Sequence, residues 1–305
     1  MRILLTGGAG FIGSHIADRL LERGHEVAVA DDLSSGKREN VPGGAVFYEA
    51  DVRSGCPRVF EEFAPEALCH QAAQMDVRRS VREPDFDAGV NVLGTVRLLQ
   101  NCVEHGVGRV IFASTGGAVY GEQEVFPATE DHPQYPVSPY CVSKLAGERY
   151  LHFYAVQYGL SYAALRYANV YGPRQDPHGE AGVVAIFSGN LAADEPSTIN
   201  GSGEQTRDYV YAGDVARANV LAIESEAPNG AYNVGTGVET DVNELYERLR
   251  RISGKDLPPA HGPGKPGEQL RSCVDHSKAA RLLGWRPEVS LAEGLGETLR
   301  FFGAR

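Results

Sequence analysis

The chain has 305 residues, 42% of them hydrophobic and 23% charged, which is ordinary for a folded protein of two domains or one enlarged α/β domain. Its formal charge of −11 argues against nucleic acid or an anionic membrane as partner, because their phosphates repel such a surface; a local pocket of Arg and Lys can still take a small anion. Five scattered cysteines (Cys56, Cys69, Cys102, Cys141, Cys273), without C-x-x-C spacing, exclude a disulfide scaffold and a zinc site. No metal is expected. The amino-terminal residues run straight into a strand and no run approaches 18 apolar residues, so the expected setting is the cytoplasm, with no membrane partner.

The first apolar run, Arg2 to Leu5, reads as a buried parallel strand. It leads into Thr6-Gly7-Gly8-Ala9-Gly10-Phe11-Ile12-Gly13, and then into a helical pattern with Ile12, Ile16 and Leu20 on one face, closed by Gly24. Strand, glycine turn and helix form the context of the dinucleotide fingerprint, in which glycines let the backbone approach a pyrophosphate at the helix's positive end. Two spacings fit, Gly8-x-Gly10-x-x-Gly13 and Gly7-x-x-Gly10-x-x-Gly13. The next strand, Glu26 to Ala30, ends in Asp31-Asp32, with Asp31 18 residues beyond Gly13. That is close to the roughly 20-residue offset at which a carboxylate meets the adenosine ribose and favours NAD over NADP.

Further strands are expected at Val46–Ala50, Ala67–Cys69, Arg109–Ala113 and Ser161–Arg166. Helices are expected from Asn91 to His105 and, behind the cap Ser138 and first-turn Pro139, to Tyr158 before Gly159. Alternation of this kind predicts a Rossmann-type, doubly wound parallel α/β sheet. Beyond about residue 170 the chain turns loop-rich, with helical patterns at Asp214–Ile223, Val242–Ile252, Ser277–Leu283 and Leu291–Phe302. The expected division is a cofactor domain over 1–170 and a smaller α/β substrate domain over 171–305, with segments near 208–236 returning to the first.

Tyr140-x-x-x-Lys144 places a phenol and an ammonium on one helix face, and Ser114-Thr115 ends the preceding strand. A tyrosine acting as base near pH 7 requires about 4 kcal/mol of anion stabilisation. A single cation at ~6 Å and an effective dielectric of ~20 supplies about 2.8 kcal/mol. Lys144 alone falls short, whereas Lys144 with an oxidised nicotinamide suffices. Thr115 or Ser114 then holds a substrate hydroxyl.

With these motifs, His70-x-Ala72-Ala73, Asn91-x-x-Gly94-Thr95, Arg166 to Pro173 and Gly201-Ser202-Gly203-x-Gln205-x-Arg207-Asp208, the chain resembles the extended short-chain dehydrogenases/reductases. Within them it looks most like the UDP-glucose 4-epimerase family, over nearly the whole chain. The resemblance implies an isomerase that inverts the carbon-4 hydroxyl of a UDP-hexose, glucose/galactose or the N-acetylated pair, through a 4-keto sugar. UDP-glucuronate epimerisation and a sugar-nucleotide dehydratase or decarboxylase are the alternatives. NAD is the implied cofactor, met by Gly7, Gly10, Phe11, Ile12, Gly13, Asp31, Asp32, Asp51 (at the adenine), Val52, Gln71, Ala72, Ala73 and Asn91. Tyr140 is the implied base, and Lys144 the residue on the nicotinamide ribose. Asn169, Val183 and Arg207 are the implied substrate contacts, with a homodimer as the implied assembly. His70 reads as a buried, hydrogen-bonded histidine.

Three departures from the family pattern stand out. Gly116-Gly117-Ala118 carries no acid after the hydroxyl pair, which argues for epimerisation over dehydration. Lys265 stands where the family usually has a phosphate-binding arginine, so that contact falls to Lys265 or Arg271. The position gating the pocket against N-acetyl groups falls at Ser272, with Cys273 as the other register; a small side chain there implies room for a 2-acetamido sugar. For glucuronate, Arg78 and Arg79 are expected in the loop after His70.

Overall fold

A computed structural model of the protein describes residues 1–178, 182–264 and 269–303. Strands β1 (Arg2–Thr6), β2 (Glu26–Asp31), β3 (Val46–Glu49), β4 (Ala67–His70), β5 (Arg109–Thr115) and β6 (Ser161–Tyr167) alternate with helices. They join one seven-stranded sheet, completed at one edge by a strand from much later in the chain, Gly230–Val234. The order across the sheet is that late strand, then β6, β5, β4, β1, β2 and β3, every neighbour parallel. Strand order reverses between β1 and β4, and a ligand crevice opens beyond the carboxyl ends of such a pair.

The strands are almost wholly apolar because helices cover both faces. One core joins Ile3, Leu5, Ile16, Leu20, Ile111 and Leu165 to the helix Ala212–Glu224; the other joins Leu4, Leu68, Phe112, Leu98 and Leu151. The long helix Pro139–Tyr158 starts where expected, with Ser138 Oγ accepting from the Cys141 N–H, and ends on Gly159 at φ 73°.

The expected helix over 91–105 is different. Thr95–Glu104 is α-helical, but Gly89–Gly94 forms a wider π turn. There the Thr95 hydroxyl bonds the Asn91 carbonyl at 2.7 Å, so a side chain enters the backbone ladder. Short helices Val77–Arg82 and Pro84–Ala88 precede it, so Arg78 and Arg79 lie in a helix and not in a loop. Arg79 is ion-paired to Glu83 at 3.1 Å and lies over the Phe86 ring.

The second lobe is built on strands β7 (Asn169–Tyr171), β8 (Thr198–Asn200) and β9 (Thr206–Tyr211); β10 is the Gly230–Val234 edge strand of the large sheet. Strands β11 (Glu239–Asp241), β12 (Ala260–Gly262) and β13 (Arg271–Ser272) follow; β9 pairs with β7, β11 and β13, and β8 with β12. Helices Val183–Ala192, Val242–Ser253 and Leu291–Gly303 pack a separate core of Phe187, Leu191, Tyr246, Leu249 and Leu295. No helix among the described residues is long and apolar enough to cross a membrane.

One buried ion pair ties the long helix to the sheet. Arg166 Nη2 meets Glu148 Oε2 at 2.7 Å and its Nε meets Oε1 at 2.9 Å, with both side chains almost wholly buried. Ser114 Oγ donates to the same carboxylate at 2.5 Å, and Arg166 Nη1 donates to the Tyr120 hydroxyl at 2.9 Å. Glu148→Ala, by leaving a buried guanidinium without its counter-charge, is expected to destabilise the fold by about 3–5 kcal/mol in urea unfolding. Glu148→Asp is expected to recover part of that loss.

Candidate active site

The glycine turn is fixed by backbone that leaves no room for a β-carbon. Gly7 lies at φ 72°, and a Cβ there would stand 2.5 Å from the Ala72 nitrogen. A Cβ on Gly13 would stand 2.1 Å from the Gly7 carbonyl oxygen. Gly7 and Gly13 are therefore the tightly constrained positions, and the turn at the end of β1 rests directly on Ala72 beyond β4. Gly10 caps the helix Phe11–Glu22 without a side-chain hydrogen bond, leaving first-turn N–H groups for an acceptor. Phe11 and Ile12, in that first turn, are half-buried.

Asp31 is buried beside this turn. It accepts the Ala9 and Leu33 N–H groups, each at 2.9 Å, and burial raises its pKa while those bonds lower it. Asp32 is exposed and accepts Ser34 N–H and Oγ. Asp51 accepts the Arg53 N–H and is paired with the Arg53 guanidinium, which lowers its pKa; Val52 beside it is buried. A cradle of this shape, with amides at a helix terminus and a carboxylate at the next strand end, fits a dinucleotide. Gln71, Ala72 and Ala73 stand half-exposed on the facing rim. Asn91, buried, holds the following loop by donating to the Gln74 carbonyl and accepting its N–H, each at 2.9 Å.

His70 sits beneath this rim in a chain of hydrogen bonds with one direction. Thr95 gives its hydroxyl hydrogen to the Asn91 carbonyl, so His70 Nε2–H donates to Thr95 Oγ1 (3.1 Å) and Nδ1 accepts from Thr6 Oγ1 (2.7 Å). Burial, with the Lys144 charge nearby, pushes the His70 pKa down to about 3, so the ring is neutral and structural.

Tyr140 and Lys144 share the first turns of the long helix. Lys144 Nζ lies 5.9 Å from the Tyr140 ring centroid and 5.0 Å from that of Phe112. Tyr140 is half-buried and Lys144 is 4% exposed. Burial moves both toward their neutral forms: the phenol pKa rises, and the ammonium falls to about 8 against the pull of Asp87. The two hydroxyls at the end of β5 separate cleanly. Ser114 is buried and committed to Glu148, whereas Thr115, the last strand residue, stays half-exposed.

Register gathers the other candidates. On β9, Arg207 aligns with Ser272 of β13 and Tyr209 with Asn169 of β7, so Asn169, Arg207 and Ser272 share one face of the small sheet. Gly117 packs against that face, its imaginary Cβ 3.4 Å from Ser272 Oγ and 3.6 Å from Asn169 Oδ1. Ser272 is thus the residue beside the glycine pair, while Cys273 is buried in a strand-like contact with Ala128. Val183 opens its helix and, with Asn169, lines a small cleft of about 30 Å³. Arg271 is held by Glu239 in a bidentate pair at 2.6–2.9 Å and lies over the Phe126 ring. Lys265 lies outside the described residues. A wider concavity of about 530 Å³ at the β3 edge takes in Asp51 but none of the reacting groups, so the chemistry is not centred there.

The chain belongs to the NAD dependent epimerase/dehydratase family, which it matches over residues 3–235. It is 47% identical to a UDP-glucose 4-epimerase of Mycolicibacterium smegmatis, over 99% of this chain and 98% of that one. The crystal structure of UDP-glucose 4-epimerase with UDP-glucose from Thermotoga maritima superposes with a TM-score of 0.97 at 50% identity, covering 99% and 98% of the two chains. That of the Thermus thermophilus UDP-glucose 4-epimerase with NAD gives 0.93 at 48%, covering 99% of both.

Asp87, Gln74 and Ser143 also belong to this site, and motif reading passed over them. The available signal was spacing: Asp87 precedes Asn91 by four residues and so shares its helix face.

A neutral buried His70 has a pH signature. Between pH 6.5 and about 3 the unfolded chain binds a proton on this ring that the folded chain does not. Its contribution is therefore complete above pH 6.5 and is lost as the pH falls. Stability of the protein is expected to decline about 1.4 kcal/mol per pH unit more steeply than that of His70→Gln through this window, and in parallel with it above pH 7. Urea midpoints measured across the range check this.

Proposed function

We propose that this chain is an isomerase that inverts the carbon-4 hydroxyl of a UDP-hexose with NAD as a resident cofactor. The observation that carries the proposal is the Tyr140/Lys144 pair on one helical turn, in a chain that also has a dinucleotide cradle and the Asn169–Arg207–Ser272 face. Gly7, Gly10 and Gly13 hold the pyrophosphate at the helix terminus, Asp31 and Asp32 the ribose, and Asp51 and Val52 the adenine edge. Phe11, Ile12, Gln71, Ala72, Ala73 and Asn91 complete the cradle. NAD⁺ supplies the hydride acceptor for carbon 4 and, once reduced, the donor that returns it.

The protein's own part is acid–base chemistry and positioning. Tyr140 Oη takes the carbon-4 hydroxyl proton and gives it back. An ammonium at ~6 Å from the phenolate and an effective dielectric of ~20 supplies about 2.8 kcal/mol of anion stabilisation, less than the phenol needs. An oxidised nicotinamide held beside Tyr140 would add positive charge to that of Lys144 and favour the phenolate further. Thr115 receives the substrate hydroxyl, because Ser114 has given its hydrogen to Glu148. Asn169 and Arg207, with a basic residue at Lys265 or Arg271, grip the diphosphate, and Val183 lines the substrate site. A firm diphosphate grip and a loose sugar site let the flat 4-keto sugar turn over before the hydride returns.

The small buried Ser272 beside Gly117 favours a second substrate, the 2-acetamido hexose pair. The division into a 1–170 cofactor domain and a 171–305 substrate domain is supported by the separate core of the second lobe. Residues of the 208–236 stretch return to the first sheet and its cover. Val142, Phe153 and Val156 form an exposed apolar stripe on the long helix that supports a homodimer. All five cysteines are free, in keeping with a reducing cytoplasm.

Incubation with UDP-galactose, without added cofactor, is expected to yield UDP-glucose with no accumulating NADH; a dehydrated or decarboxylated product instead would overturn the reaction assignment. Tyr140→Phe is expected to lower kcat by about 10²–10⁴ while retaining bound NAD. Ser272→Tyr is expected to suppress turnover of UDP-N-acetylglucosamine and spare UDP-glucose, read as the ratio of the two kcat/KM values.

A further inference from the structure

Asp87 is fully buried in the short helix Pro84–Ala88, and the chemistry above makes no use of it. Its carboxylate accepts three hydrogen bonds from three separate segments. Ser143 Oγ reaches Oδ2 at 2.7 Å, from the long helix. Asn91 Nδ2, from the π turn, and Gln74 Nε2, from the loop after β4, each reach Oδ1 at 3.0 Å. Ser143 stands next to Lys144 and three residues after Tyr140, on the turn that carries both.

We propose that Asp87 is the positioning residue of the Tyr140/Lys144 pair: it anchors their helical turn through Ser143 and supplies the buried counter-charge for the Lys144 ammonium. This rests on the assignment of Tyr140 as base.

The electrostatics agree with the geometry. Lys144 is buried against Phe112 and Tyr140, where an ammonium has lost most of its hydration; Asp87, which makes no direct ion pair with it, opposes that loss through space, and the same charge raises the pKa of the Tyr140 phenol. The other titratable groups near the pair do not replace it. His70 is neutral, and Cys141 faces Tyr140 as a buried thiol whose pKa is raised. Glu148, one turn along, is committed to Arg166, and Arg79 on the neighbouring helix to Glu83. The same carboxylate binds Asn91 and Gln74, so the base is tied to the loop behind Gln71, Ala72 and Ala73 on the cofactor rim.

Asp87→Asn removes the charge and little else. The amide oxygen can accept from Asn91 and Gln74, and its NH₂ can donate to Ser143, whose hydroxyl turns to accept. Lys144 then loses its proton at lower pH, and catalysis that needs a charged Lys144 loses its alkaline arm first. The alkaline limb of kcat is expected to move down by about one pH unit or more, with KM for UDP-galactose changed less than about twofold. Asp87→Glu, which keeps the charge, is expected to retain the parental limb. An Asp87→Asn profile superimposable on the parent, or a loss uniform at every pH, overturns the proposal.

Should Asp87→Asn yield no folded protein, Ser143→Ala tests the anchor: it is expected to lower kcat about threefold or more with the alkaline limb in place, and an unchanged kcat overturns the anchoring role. Tyr140→Phe run alongside separates the two assignments. Full activity in Tyr140→Phe overturns the base itself. An inactive Tyr140→Phe with an unshifted Asp87→Asn profile overturns Asp87 alone.

Discussion

The constraint on which the rest depends is the contact between two backbones where strand order reverses. At the carboxyl ends of β1 and β4, Gly7 lies against the main chain of Ala72, and Gly13 against the Gly7 carbonyl, with no space for a methyl group at either glycine. A side chain there would push the first helix away from the sheet. The same closeness brings a helix amino terminus, with its unbonded N–H groups, to the mouth of the crevice. Sheet order and anion site are therefore one geometric fact.

Around that contact, buried polar groups are satisfied in ways that assign direction. The Thr6–His70–Thr95–Asn91 chain runs its protons one way and so leaves His70 neutral. Glu148 accepts from both Arg166 and Ser114, which withdraws one of two adjacent hydroxyls from the crevice and leaves the other at its rim. Asp31 spends one oxygen on the glycine turn, so the carboxylate proposed for the ribose also holds the turn proposed for the pyrophosphate. An unsatisfied donor or acceptor in any of these places would cost about 1–3 kcal/mol, enough to hold each arrangement against its alternatives.

The two lobes divide the physical labour. The large sheet is rigid, parallel and apolar on both faces, which suits the fixed geometry that hydride transfer demands. The second lobe is made of short strands, of two to six residues, with helices around its own core, and it presents Asn169, Arg207 and Ser272 on one face of its small sheet. Polar side chains on short elements beside a rigid sheet fit the proposed reaction, in which the diphosphate stays and the sugar turns.

Much of this was legible in the residues themselves. The glycine spacing after an apolar run, Asp31 at the next strand end, and Tyr140 and Lys144 one turn apart behind a Ser-Pro cap are local features, and local steric and capping rules determine them. The parallel sheet followed from strand and helix alternation. What only the tertiary structure decided depends on contacts that spacing and periodicity do not reveal. The π turn at Gly89–Gly94 arises where a threonine side chain enters the ladder, so periodicity alone read it as helix. Ser114 and Thr115 are chemically alike, and only the partner 34 residues away separates them. Asp87, an acid in an unremarkable Pro-Asp-Phe-Asp stretch, acquires meaning because packing delivers Ser143, Asn91 and Gln74 to one carboxylate. Spacing encodes what a single turn or strand can do; which buried charge answers which is set by burial, and burial is a property of the whole chain.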